Sequence, residues 1–154
     1  MFERPGALSD RFPGPYANEK ASRAANNGAY PPDMSLIVKA REDGANYIYS
    51  LLTGYGEQPP EGFTVPEGKH YNPYMPGGVI AMAQPLKDDS VTYQDEKTKA
   101  TLDQEARDVV NFLQWAAEPE METRKRMGIH VMLFLGIMTT FFYVLKKRIW
   151  SDLH

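Results

Sequence analysis

Nineteen consecutive residues, Met127 to Leu145 (MGIHVMLFLGIMTTFFYVL), contain no Asp, Glu, Lys or Arg. At helical rise this run spans roughly 28 Å, close to the ~30 Å hydrocarbon core of a bilayer. Arg124, Lys125 and Arg126 bound one end, and Lys146, Lys147 and Arg148 the other. Tyr143 and Trp150 stand where interfacial aromatics belong. A buried core helix is the alternative reading, but few soluble core helices are apolar all round between two basic triplets. We therefore expect a C-terminal transmembrane helix, with membrane lipid as a partner. His130 lies about one turn inside the segment, where snorkelling or helix pairing explains it. Charge does not orient the helix, because both flanks carry three cations. The opening MFERPGALSD has neither a basic n-region nor an apolar h-region. It is not read as a signal peptide, so targeting information is expected elsewhere or in a further N-terminal part.

The remaining charge is strongly divided. Residues 1–123 hold 11 Lys+Arg against 19 Asp+Glu, and residues 124–154 hold 6 against 1. An acidic body on a basic tail argues against nucleic acid as a partner, because such binders carry a positive patch on the domain. The chain has no Cys. That excludes a disulfide framework, a thiolate zinc site, a Cys nucleophile and covalent haem attachment through a CxxCH of its own.

The body reads as short helices between long loops. Pro and Gly crowd residues 3–32 and leave room for one short helix, Asn18 to Ala25. Asp33 then stands as an N-cap for a helix in which Met34, Ile37, Val38 and Arg41 share one face. This puts Arg41 on an apolar face. A second helix is expected from Ala45 to Thr53, with Gly54 at the left-handed position after it. Residues 55–90 contain six Pro and read as an extended loop whose aromatic content argues against disorder. Thr101 and Gln104 fit a capping box opening a helix with Leu102, Ala106, Val109, Val110, Leu113 and Ala117 in one stripe. Glu118-Pro119 ends it.

Hydrolytic chemistry finds no support. His70, His130 and His154 are far apart, Ser35 and Ser50 lack a nucleophile-elbow context, and no His/Asp/Glu cluster has metal-ligand spacing. The acid pairs Asp88-Asp89 and Asp95-Glu96 read as a solvated loop. The informative feature is NPYMPGGVIAMAQPL, an apolar Gly/Pro-rich loop around Met82. Met82 on its own suits core filling. Its context also suits a ligand to haem iron, since a thioether binds a soft metal centre and raises its potential.

Several segments resemble one family. FERPGALSD (Phe2–Asp10), RAANNGAYPPD (Arg23–Asp33), YSLLTGY (Tyr49–Tyr55), YNPYMPGGVIAMAQP (Tyr71–Pro85), FLQWAAEPEMETRKR (Phe112–Arg126) and the C-terminal anchor are similar, in order, to the C-terminal two-thirds of mitochondrial cytochrome c1. The resemblance implies a mostly α fold. It would be part of a cytochrome c-like haem domain with long loops, plus one C-terminal transmembrane helix. It implies that Met82 is the distal axial ligand of haem c and that Arg41 pairs with a haem propionate. Tyr47 matches a Tyr packed beside the haem. Asn26, Pro32, Ile37, Leu51, Leu52, Met75 and Ile80 match positions lining the cleft, where ordinary core packing is the other account.

The departure is the missing CxxCH and its proximal His, for which His70 is no substitute. Half of a haem site is therefore expected here. A second polypeptide carrying the CxxCH-bearing N-terminal half, a fragment, and a copy that has lost haem are the three explanations, and a split protein is the one preferred. The resemblance further implies an electron-transfer subunit of the quinol–cytochrome c reductase. It would lie beside cytochrome b, take electrons from the Rieske iron–sulfur protein and pass them to soluble cytochrome c. The expected location is the mitochondrial inner membrane, with the body in the intermembrane space and the C-terminus in the matrix. Residues 1–123 would form the haem-cleft portion, 124–148 the anchor with basic flanks, and 149–154 a short tail. The alternative is a haem-free, single-pass structural subunit of a membrane complex.

Overall fold

The computed structural model describes residues 4–7, 10–11, 13–95 and 97–151. Glu96 of one acid pair and residues 152–154 of the C-terminal tail, His154 among them, lie outside the described residues. The chain divides into two compact units, Met1–Ala117 and Glu118–His154.

In the first unit, helix α1 spans Glu19–Ala25. Asn18 caps it, its Oδ1 accepting from the Ala21 N–H at 2.9 Å. Helix α2 spans Gly44–Thr53 and runs into a single 3-10 turn, Gly54–Gly56. Strands β1 (His70–Tyr71) and β2 (Val79–Ile80) form an antiparallel ladder pairing His70 with Ile80 and Tyr71 with Val79. Helix α3 spans Leu102–Ala117. The core lies between α2 and α3: Ile37, Val38, Ile48, Leu52, Ala106, Val110, Leu113 and Ala117 are buried together. Tyr49 crosses the same interface. Its hydroxyl donates to Asp103, and the Arg107 guanidinium lies 5.5 Å over its ring.

Several expectations need correction. The segment after Asp33 is a run of turns and not a helix. Asp33 Oδ1 accepts from the Ser35 N–H and hydroxyl, which makes a local turn. The chain must then reverse into α2 through Asp43 (φ 60°) and Gly44 (φ 43°), so a helix cannot propagate past Arg41. Ile37 and Val38 are buried as expected, but Arg41 is exposed and lies on no apolar helix face. Gly54 is not left-handed (φ −82°). It is small for another reason: a Cβ there would stand 2.6 Å from the Tyr74 ring. The capping box is half formed. The Gln104 N–H donates to Thr101 Oγ1 at 3.3 Å, but the Gln104 amide donates to Asp108. Asp88 takes the Leu102 N–H at 2.7 Å instead. Val109 is at the exposed edge of the stripe.

The second unit is built on helix α4, Met121–Ser151, longer than the apolar run at both ends. Its most apolar window has a mean hydropathy of 1.9 and none of it is buried within the protein. At 31 residues it extends about 46 Å, long and apolar enough to cross a membrane. Lys147 lies over Tyr143 and Lys146 over Trp150, as interfacial cation–aromatic pairs do. Arg124 is tied to Glu118 at 3.0 Å ahead of the apolar stretch.

Candidate functional site

The chain around Met82 is positioned by a hairpin fastened to the end of α2. Between β1 and β2, residues 72–78 form a tight loop. The Asn72 N–H donates to the Gly78 carbonyl at 3.1 Å, and the Gly78 N–H to the Met75 carbonyl at 2.7 Å. Gly77 (φ 82°) and Gly78 (φ 71°) are consecutive left-handed residues, which side chains resist. Asn72 is fully buried. Its Nδ2 donates to the Leu51 carbonyl at 2.7 Å, and its Oδ1 accepts from the Tyr74 N–H at 3.0 Å. Leu51 lies in the last turn of α2, where carbonyls lack helical partners, so Asn72 satisfies one of them.

Three further contacts bind the same two elements. Tyr47 donates to Met75 Sδ at 3.7 Å. Gly54 admits the Tyr74 ring. Tyr55 donates to the Met82 carbonyl at 3.0 Å. Burial raises the Tyr55 hydroxyl above the ordinary tyrosine range. Met82 itself is 39% exposed.

The structure thus brings Tyr47, Leu51 and Met75 to one junction and holds the Met82 main chain at its edge. Ile80 is buried in β2, and Ile37 and Leu52 are core residues of the α2–α3 cluster, against which Tyr47 also packs. Asn26 donates to the Ser22 carbonyl of its own helix, and the exposed Arg41 to the adjacent Ala40 carbonyl. Pro32 is exposed. These three are not joined by hydrogen bonds to the Met82 loop. Asn72 and Tyr55 are the positioning residues that sequence reasoning missed. Asn-Pro-Tyr between two loop segments marks a turn, but not its burial.

A second feature also escaped sequence reading. Glu105 of α3 is 3% exposed and accepts from the Ser90 N–H, the Ser90 hydroxyl and the Val91 N–H. Those bonds offset the cost of burying a carboxylate and pin the 88–91 segment to α3. An open hollow of about 770 Å³ lies beside this segment, with a mixed lining that includes Asp88, Val91, Tyr93, Asp95 and Lys99. It does not include Met82.

The donor set suits one wall of a haem site. Met82, partly exposed, supplies a soft thioether, Met75 and Ile80 belong to the hairpin, and Tyr47 of α2 reaches Met75; Arg41 is an exposed cation that, among the described residues, no contact joins to this group. Among the described residues no group of three or more His, Cys, Asp or Glu could hold a metal ion. With no Cys in the chain, thioether bonds to a macrocycle cannot be made here.

The profile of the Cytochrome C1 family matches residues 1–153. The chain belongs to the cytochrome c1 family. It is 56% identical over 155 residues to the "Cytochrome c1 1, heme protein, mitochondrial" of Arabidopsis thaliana, covering 99% of this chain and 49% of that protein. It is 53% identical over 151 residues to the "Cytochrome b-c1 complex catalytic subunit, mitochondrial" of Candida albicans, covering 98% and 52%. It is 48% identical over 172 residues to the "Cytochrome b/c1" of Bradyrhizobium diazoefficiens, covering all of this chain and 25% of that protein. The chain therefore spans about half the length of the mitochondrial cytochrome c1 relatives, less than the two-thirds the resemblance implied. The cytochrome c1 match includes both the Met82 hairpin and the apolar helix.

Proposed function

We propose that this chain is the Met82-bearing part of a haem c electron-transfer subunit of the cytochrome b–c1 complex. The observation that carries it is an accessible thioether on a hairpin fastened to α2, in a member of the cytochrome c1 family. Relatives named as haem proteins and as a b–c1 complex subunit support the same reading. When bound, haem iron supplies reversible one-electron chemistry. Met82 would donate its sulfur to the iron and favour the reduced state. Arg41 would face a propionate. Tyr47, Met75 and Ile80 would keep water from the macrocycle edge, with Leu51, Leu52, Ile37, Asn26 and Pro32 completing the wall. The CxxCH and the proximal His would come from the N-terminal half of the family's haem domain, whether on a partner polypeptide or on a segment preceding these residues.

In this reading residues 1–123 are the haem-cleft portion, 124–148 the anchor and 149–154 the tail. The anchor holds the body beside cytochrome b in the mitochondrial inner membrane, with the body in the intermembrane space. Electrons arrive from the Rieske iron–sulfur protein and leave to soluble cytochrome c. The excess of 19 acids over 11 cations in residues 1–123 would attract a basic carrier and speed its docking at low salt.

The competing reading is a haem-free structural subunit. The test is an optical spectrum of the complex purified through this chain, with and without Met82→Ala. Reduced c-type bands that lose their Met-ligated character in the variant establish the proposal. A c-type spectrum untouched by the change places the haem elsewhere and supports the structural subunit.

A further inference from the structure

The main chain that carries Met82 is weakly held by its own backbone. Strand β2 ends at Ile80. Downstream, the next fixed points are Leu86, packed against the core, and Asp88, bound to the start of α3. Between them, among the described residues, the hydrogen bond made by residues 81–86 is the one from Tyr55 to the Met82 carbonyl. It joins positions 27 apart in the chain. Its donor is well placed. Tyr55 sits in the 3-10 turn Gly54–Gly56, whose first glycine is packed against Tyr74 of the same hairpin. The Tyr55 ring also meets His70 of β1 edge-on, with centroids 6.5 Å apart. The phenol is therefore backed by His70 and carried on a turn packed against the hairpin.

We propose that Tyr55 is a positioning residue for Met82: by fixing the Met82 carbonyl it orients that peptide plane and restrains the thioether from leaving a bound iron. This rests on the reading of Met82 as an iron ligand. A carbonyl held at 3.0 Å limits rotation about the Met82 Cα–C bond and so fixes the main chain on which the side chain is mounted. A shift of residues 81–86 that carried the sulfur away would break this bond. Tyr55 therefore acts through Met82 and touches no reacting atom.

The test uses the whole membrane complex isolated through this chain, oxidised, with cyanide as the probe that displaces a weak axial ligand. Tyr55→Phe keeps the ring and its packing on His70 and removes the donor. It should leave c-type absorbance per complex unchanged and raise cyanide affinity about fivefold, the size of one ordinary hydrogen bond. Incorporation of 3-fluorotyrosine at position 55, a stronger donor, should lower the affinity below that of the unmodified complex. Tyr93→Phe, which removes a hydroxyl bonded to Asp108, should change neither readout. If Tyr55→Phe binds cyanide like the parent while Met82→Ala binds it far more tightly, the proposal is overturned and the ligand reading survives. If Met82→Ala leaves both spectrum and cyanide affinity unchanged, the ligand reading fails and this proposal with it. If Tyr55→Phe does not assemble, an unaltered affinity in the fluorotyrosine protein overturns the proposal.

Discussion

Asn72→Ala is the perturbation that should release the Met82 hairpin from α2. Asn72 is fully buried and makes two side-chain bonds, 2.7 Å to the Leu51 carbonyl and 3.0 Å from the Tyr74 N–H. Alanine removes the side-chain partner of both backbone groups, at about 1 kcal/mol each. The vacated volume adds about 1 kcal/mol, because the two fixed backbones can collapse only in part. The total is about 3 kcal/mol, roughly a hundredfold in an opening equilibrium. Hydrogen exchange in the intact complex, read on peptides covering residues 70–82, measures that equilibrium directly. Protection of the Asn72, Met75 and Gly78 amides should fall by about two orders of magnitude, and that of mid-α3 amides should not change. Asn72→Asp gives an internal control. It retains the acceptor for Tyr74 but turns a buried anion toward the Leu51 carbonyl, so it should be no better tolerated. Protection within about threefold of the parent in Asn72→Ala would refute the argument that Asn72 is the fastener.

Three other outcomes follow from the same contacts. Gly54→Ala places a methyl 2.6 Å from the Tyr74 ring, and overpacking of this kind costs about 1–3 kcal/mol, measurable as a lower melting temperature of the complex. The Asp103 carboxylate lies below its usual range, first through its bond from Arg107 and then through Tyr49. Its folded value is depressed, so its stabilisation is complete above the ordinary aspartate pKa of about 4 and is lost as pH falls through the lowered value. Melting curves of Asp103→Asn should therefore converge on those of the parent in acid and diverge from them at neutral pH. Leu135→Arg puts a charge at the middle of the apolar run, at about 3 kcal/mol on insertion scales, and should make the chain extractable by alkaline carbonate.

Local signals in the sequence carried much of the secondary structure. Asn18 before α1, Glu118-Pro119 after α3 and the uncharged run within α4 are each read from neighbouring residues, and each element stands where it was expected. Propensity, capping and bilayer-length hydropathy act over a few residues to one helix, so no fold is needed to see them. The segment 34–41 shows where that stops. Its spacing suits a helix, but Asp33 closes a local turn on Ser35, and the left-handed residues Asp43 and Gly44 stop any helix there from running on into α2. The Met82 loop could be picked out by composition, and the family by the residues of six segments, because both are properties of the chain itself. How the loop is held could not. Asn72 on Leu51, Tyr55 on Met82 and Glu105 on Ser90 join positions 21, 27 and 15 residues apart. Such pairings follow from which surfaces pack, and no periodicity records them. Arg41 belongs to the same class: its residue type was plain in the sequence, but its exposure was decided only when the chain turned away from helix at that point.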